Sequence, residues 1–127
     1  MSTILIVEDH AVTREPLARL LRYEGYKTTC AANGAEALAA LESHTPDLVL
    51  LDMMMPKCDG LTFLQAARAD PAGRWKDLPV ILLTGAMDQR QIARARELAV
   101  KEVLTKARFT VEALLERVRA HLLPRAA

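Results

Sequence analysis

Four short apolar runs, at residues 4–7, 48–51, 80–83 and 103–104, each give way to a polar or small residue and then to a stretch with helical spacing. Uninterrupted apolar runs of this length suit strands covered on both faces, and their alternation with amphipathic segments predicts βαβ units around a parallel sheet. A fifth strand is expected over Lys27–Ala31, where Thr28, Thr29 and Cys30 favour extended backbone. Its apolar signal is poor, which places it at a sheet edge. Between the strands, apolar residues recur at three- and four-residue intervals. Leu17, Leu20 and Leu21 mark a first helix, Ala37, Leu38 and Leu41 a second, and Leu61, Leu64 and Ala67 or Arg68 a third. A fourth runs from Asp88, as N-cap, to Leu98, and a fifth from Thr110 through Val111, Leu114, Leu115, Val118 and Leu122.

Asn33-Gly34, Pro46-Asp47, Cys58-Asp59-Gly60 and the stretch at 70–73 supply turn chemistry, and no Ser- or Gly-rich linker divides the chain. Pro16 conflicts with a continuous first helix: inside one it costs about 3 kcal/mol, so the helix is expected to start just before it or to bend there. Five β-α units with right-handed crossovers make a three-layer α/β sandwich, in which reactive groups gather at the carboxyl ends of the strands.

Composition adds bounds. The 127 residues suffice for one domain with its own core, so residues 1–127 are expected to form a single unit with its core over about 3–123. The apolar run at 4–7 meets Glu8 and Asp9 too early for a signal peptide or a membrane span, and a cytoplasmic location is expected. Cys30 and Cys58 form no Cys-x-x-Cys pair, which favours two reduced, packing or incidental thiols over a disulfide or zinc site. Residues 85–127 hold 9 basic and 5 acidic side chains against 8 and 11 in residues 1–84. That basic third lacks a helix-turn-helix extension and interleaved aromatics, so it reads as a solvated face and no direct nucleic-acid contact is expected.

The strand ends carry the candidate chemistry: Glu8 and Asp9 after the first, Asp52 after the third, Thr84 after the fourth and Lys106 just past the fifth. Three carboxylates crowded together repel one another, so a divalent cation and the Lys106 ammonium are needed to keep Asp52 nucleophilic. Mg2+ suits such an oxygen-only site. His10, His44 and His121 look solvent-facing, and His10, beside the acidic pair, is read as a spectator. Trp75 is read as an anchor for the segment at 70–79. Met53, Met54 and Met55 read as fillers of awkward core space rather than a binding patch.

At this point the chain resembles the receiver domain of two-component response regulators, from Ile4 to about Leu122. The matching pieces are Ile-Leu-Ile-Val-Glu-Asp at 4–9, Asn-Gly-Ala-Glu-Ala-Leu at 33–38, and Asp-Leu-Val-Leu-Leu-Asp-Met-Met-Met-Pro at 47–56. Asp59-Gly60, Leu-Pro-Val-Ile-Leu-Leu-Thr-Gly at 78–85 and Leu104-Thr105-Lys106 complete the set in order. The resemblance implies a flavodoxin-like sheet with strand order 2-1-3-4-5. It implies Asp52 as phosphoacceptor, and Mg2+ held by Asp9, Asp52, the main-chain carbonyl of Met54 and, through water, Glu8. It implies that Lys106 and Thr84 bind phosphoryl oxygens. Implied partners are a sensor histidine kinase or a histidine phosphotransfer protein as donor, and a downstream protein docking on the fourth helix, fifth strand and fifth helix.

Three departures stand against the family pattern. Val103 occupies the switch position where an aromatic partner of Thr84 is usual, and valine cannot make the same rotamer exchange. Ala107 follows Lys106 in place of a cis proline, so a trans bond is expected. Ala99 stands where a glycine often precedes the fifth strand, which bears on how the fourth helix ends. Other readings remain open: a phosphate-relay intermediate, a pseudo-receiver acting without phosphate, or an aspartate-nucleophile phosphatase. The phosphatase needs a second acid two residues past the nucleophile, where Met54 stands, so turnover on external substrates is not expected.

Overall fold

The computed structural model describes residues 2–52, 59–85, 89–105 and 110–122. Five strands alternate with five helices: β1 (Thr3–Val7), α1 (Ala11–Tyr23), β2 (Lys27–Ala31), α2 (Gly34–Ser43), β3 (Leu48–Asp52), α3 (Asp59–Arg68), β4 (Val80–Thr84), α4 (Gln89–Glu97), β5 (Glu102–Thr105) and α5 (Val111–Leu122). The sheet is parallel throughout, in the order β2-β1-β3-β4-β5, with β2 at an edge as its weak apolar signal foretold.

Side-chain alternation divides the core into two layers. Ile4, Ile6, Leu48, Leu50, Ile81 and Leu83 face the layer built on α1 and α5, where Ala18, Leu21, Leu114 and Val118 are buried. Leu5, Val7, Val49, Leu51, Val80 and Leu82 face the opposite layer, filled by Leu41, Phe63, Leu64 and Ala95 from α2, α3 and α4. Strands sandwiched in this way read as continuous apolar runs.

Several local expectations change. The first helix begins at Ala11 and continues through Pro16 to Tyr23. Pro16 forgoes only the bond to the carbonyl of Val12, a strongly exposed residue whose carbonyl can turn to water. Asn33-Gly34 opens a helix rather than forming a turn: Asn33 Oδ1 accepts from the amide of Glu36, whose carboxylate accepts from the amide of Ala32, a reciprocal cap. Gly25 takes φ +100° just past α1, and the bonds from Gly25 to Arg22 and from Tyr26 to Leu21 close that helix. Cys30 is exposed, so it is no packing residue, while Asp88, Cys58 and the Lys106-Ala107 bond lie outside the described residues.

Ala99 settles how α4 ends. It adopts φ +63°, a left-handed conformation without glycine's freedom, and its amide donates to Arg96. Arg68 reaches across from α3 to hold the turn, its guanidinium donating to the carbonyls of Leu98 (2.8 Å), Ala99 (3.3 Å) and Trp75 (2.7 Å). Burial holds the Arg68 guanidinium below its usual pKa, which marks the contact as desolvated. Trp75 is an anchor as expected: 3% exposed, it donates from Nε1 to the Thr45 hydroxyl (3.1 Å) and lies under the Arg74 guanidinium at 4.1 Å.

Candidate functional site

The carboxyl end of the sheet gathers polar groups that the sequence scatters. Val7 pairs with Leu51, so Glu8, the next residue, stands alongside Asp52 on the neighbouring strand. Asp52 itself pairs with Leu83, Thr84 follows it, and Thr84 pairs with Thr105. Adjacent strands lie about 4.8 Å apart, so these positions run as a row along one edge. The Glu8 amide prolongs the sheet by donating to the carbonyl of Ala31 at 3.0 Å.

Three of these polar residues are almost sealed from solvent: Asp52 is 1% exposed, Glu8 3% and Thr84 4%. Burying carboxylates costs several kcal/mol per charge unless something compensates it. Glu8 is fixed from two sides, its carbonyl accepting from Arg14 Nη1 (2.7 Å) and its Oε2 from the amide of His10 (3.4 Å). At the atom level, Asp9 Oδ1 and Asp52 Oδ2 are buried without a hydrogen bond, although Asp52 is engaged through other contacts.

His10 is solvent-facing as expected, 69% exposed, yet its ring lies beside the acidic pair. It sits at the N-cap of α1, but its side chain makes no capping bond. Nδ1 lies instead 3.0 Å from Asp9 Oδ1 and 3.8 Å from Glu8 Oε2. One donor atom each from Glu8, Asp9 and His10 fall within 4.8 Å of one another. Two carboxylates and an imidazole make a donor set that fits a divalent cation. Adjacency to the acidic pair was the only signal in the sequence. His121, by contrast, is not solvent-facing: half-buried, it meets Glu102 Oε2 at 3.1 Å, which Arg117 also contacts at 3.3 Å. His44 is exposed.

Of the remaining candidates, Val103 is half-buried against the layer of α2, α3 and α4, the same sheet face that Thr84 shares by alternation with Val80 and Leu82. Lys106 and Met54 lie outside the described residues. No helix among the described residues is long and apolar enough to cross a membrane.

Comparison with known proteins agrees with this geometry. Residues 4–119 match the family described as response regulator receiver domain. The chain is 37% identical over 119 residues to the response regulator MprA of Mycobacterium tuberculosis, covering 94% of this chain and 50% of that protein. The chain thus spans about half the length of the curated relatives it matches. Among solved structures, the response regulator TrrA of Thermotoga maritima, in complex with Mg2+-BeF, superposes with a TM-score of 0.81 at 36% identity, covering 96% of this chain and all of that one. The chemotaxis protein CheY4 of Vibrio cholerae superposes with a TM-score of 0.85 at 28% identity, covering 96% of this chain and 99% of that one.

Proposed function

The chain belongs to the response regulator receiver domains of two-component signalling, and on that premise we propose that it takes a phosphoryl group onto Asp52 and thereby changes which partner it binds. The observation that supports this best is a 1% exposed aspartate ending the central strand beside a 3% exposed glutamate. Burial of that kind is destabilising for a scaffold and useful for a reactive centre.

A carboxylate oxygen of Asp52 attacks phosphorus in line. The N–P bond of a partner's phosphohistidine breaks, an O–P bond forms, and the departing imidazole takes up a proton. The product is an acyl phosphate. Asp9, Asp52, the Met54 carbonyl and Glu8 would hold Mg2+, an ion that the solved structure of TrrA contains. When bound, the ion offsets charge on the phosphoryl oxygens during transfer. Lys106 and the Thr84 hydroxyl would bind those oxygens. With Val103 in place of an aromatic, Thr84 shifts against a smaller neighbour, so the response passes through repacking of the half-buried β5 face rather than one large rotamer swing.

The donor is a sensor histidine kinase or a histidine phosphotransfer protein, and the output is a protein docking on α4, β5 and α5, in the cytoplasm. That surface presents Arg90, Arg94, Arg96, Lys101 and Arg119, all exposed. External phosphoesters are not turned over, because no acid stands two residues after Asp52. Incubation with Mg2+ and acetyl phosphate, followed by intact mass, tests the reading. Wild type gains one phosphoryl group and Asp52→Asn gains none; equal gain in both discards Asp52 as acceptor.

A further inference from the structure

We infer that His10 is a ligand of the metal centre and sets its ion preference, giving this receiver a nitrogen donor beside its carboxylates. The inference rests on the proposed metal-binding role of Asp9 and deepens it. Its basis is the approach of two atoms that lie at ion-pair distance without an aligned hydrogen bond. His10 Nδ1 and Asp9 Oδ1 are 3.0 Å apart, yet Asp9 Oδ1 is buried with no hydrogen bond. A nitrogen and an oxygen at that distance, not aligned as donor and acceptor, are placed as two neighbouring ligands on one ion would be. Cis ligands with bonds of about 2.1 Å stand roughly 3.0 Å apart.

Two further features agree. The imidazole does not serve α1, because no side-chain cap is made at His10. Its backbone is nevertheless fixed, since the His10 carbonyl accepts from the amides of Thr13 (3.0 Å) and Arg14 (2.8 Å) and its amide donates to Glu8 Oε2 (3.4 Å). The ring therefore hangs from a rigid point beside the acidic pair while its own edge faces solvent.

The chemical consequence is selectivity. Mg2+ is a hard ion that prefers oxygen and keeps several waters, so it gains little from an imidazole. Later first-row ions bind imidazole well, with affinity rising from Mn2+ towards Cu2+. This centre is therefore biased towards Co2+, Ni2+ or Zn2+ relative to one made of oxygen ligands alone.

Calorimetric titration of the untagged, reduced chain with Mg2+ and with Co2+ at pH 8 tests this in wild type, His10→Ala and Asp9→Asn. His10→Ala lowers Co2+ affinity by about tenfold, leaves Mg2+ affinity within about twofold, and shifts the visible absorption of bound Co2+. Asp9→Asn weakens both ions. Equal loss for both ions in His10→Ala overturns the inference, because His10 would then only support Asp9 by a hydrogen bond; no change for either ion, or an unaltered Co2+ spectrum, overturns it as well. Unchanged Mg2+ binding in Asp9→Asn removes the underlying metal reading, an outcome separate from any result at His10.

Discussion

Two regions of this molecule bury polar groups and treat them in opposite ways. Around Trp75, in the segment that follows α3, the donors of Arg68, Trp75 and Arg74 meet acceptors. Arg68 binds three carbonyls, Trp75 binds Thr45, and Arg74 bridges Asp70 (2.8 Å) and Glu42 (2.8 Å) while covering the indole. At the carboxyl edge of the sheet, Glu8 and Asp52 are buried as neighbours of like charge, and Asp9 keeps a buried oxygen without a hydrogen bond. The first arrangement holds the fold together. The second gathers carboxylates at one edge of the sheet, where the proposed phosphoacceptor and metal ligands lie.

Substitution should separate the two. The largest effect is expected from Asp52→Asn, which abolishes phosphoryl gain while the protein stays folded, because the amide has the shape of the carboxylate it replaces. A large drop in melting temperature would make Asp52 a structural residue. Next comes Arg68→Ala, which strands three carbonyls and costs about 2 kcal/mol, on the order of 8 °C for a chain of this size, while phosphoryl gain stays within about twofold. Loss of phosphorylation in a folded Arg68→Ala protein would show the regions to be coupled.

Ala99→Gly works in the other direction. Relief of the left-handed strain at φ +63° exceeds the added freedom of the unfolded chain, for a gain of about 0.5–1 kcal/mol, read as a rise of roughly 2–4 °C. A lower melting temperature would refute that assignment of strain. The smallest effect lies at Asp70, whose carboxyl is held down to about 2, first by the side-chain hydrogen bond from Arg74. A depressed carboxylate contributes stability above its ordinary range and loses it as pH falls through the folded value. The advantage of wild type over Asp70→Asn should therefore persist from neutrality to about pH 5 and vanish towards pH 2, followed by thermal melting across that range. A difference that does not change with pH would contradict it.

Much of this division was legible in the chain. The four apolar runs gave four strands, and Lys27–Ala31 lies at the edge, as its weak apolar signal suggested. Strand ends were harder, since Asp52 and Thr84 are polar and still belong to β3 and β4, so a reading by hydrophobicity stops one residue short of the reactive edge. The start of α1 was hidden for a similar reason: Val12 is exposed and the first turn carries no acidic residue, leaving the pattern to begin at Leu17. The role of Arg68 was illegible because it acts through space, on the carbonyls of Leu98 and Ala99 about 30 residues away, and the approach of His10 to Asp9 likewise depends on the direction its ring takes from a helix cap. Motif spacing carried the candidate site, while the pairing that surrounds it needed the fold.

The most direct measurement is to trap the modified carboxylate where it forms. After treatment with acetyl phosphate and Mg2+, borohydride reduces an aspartyl phosphate to homoserine, and peptide mass mapping then reads the position. The account predicts conversion at residue 52, lost when the metal is chelated; conversion at residue 9 or elsewhere, or none with the metal present, would contradict it.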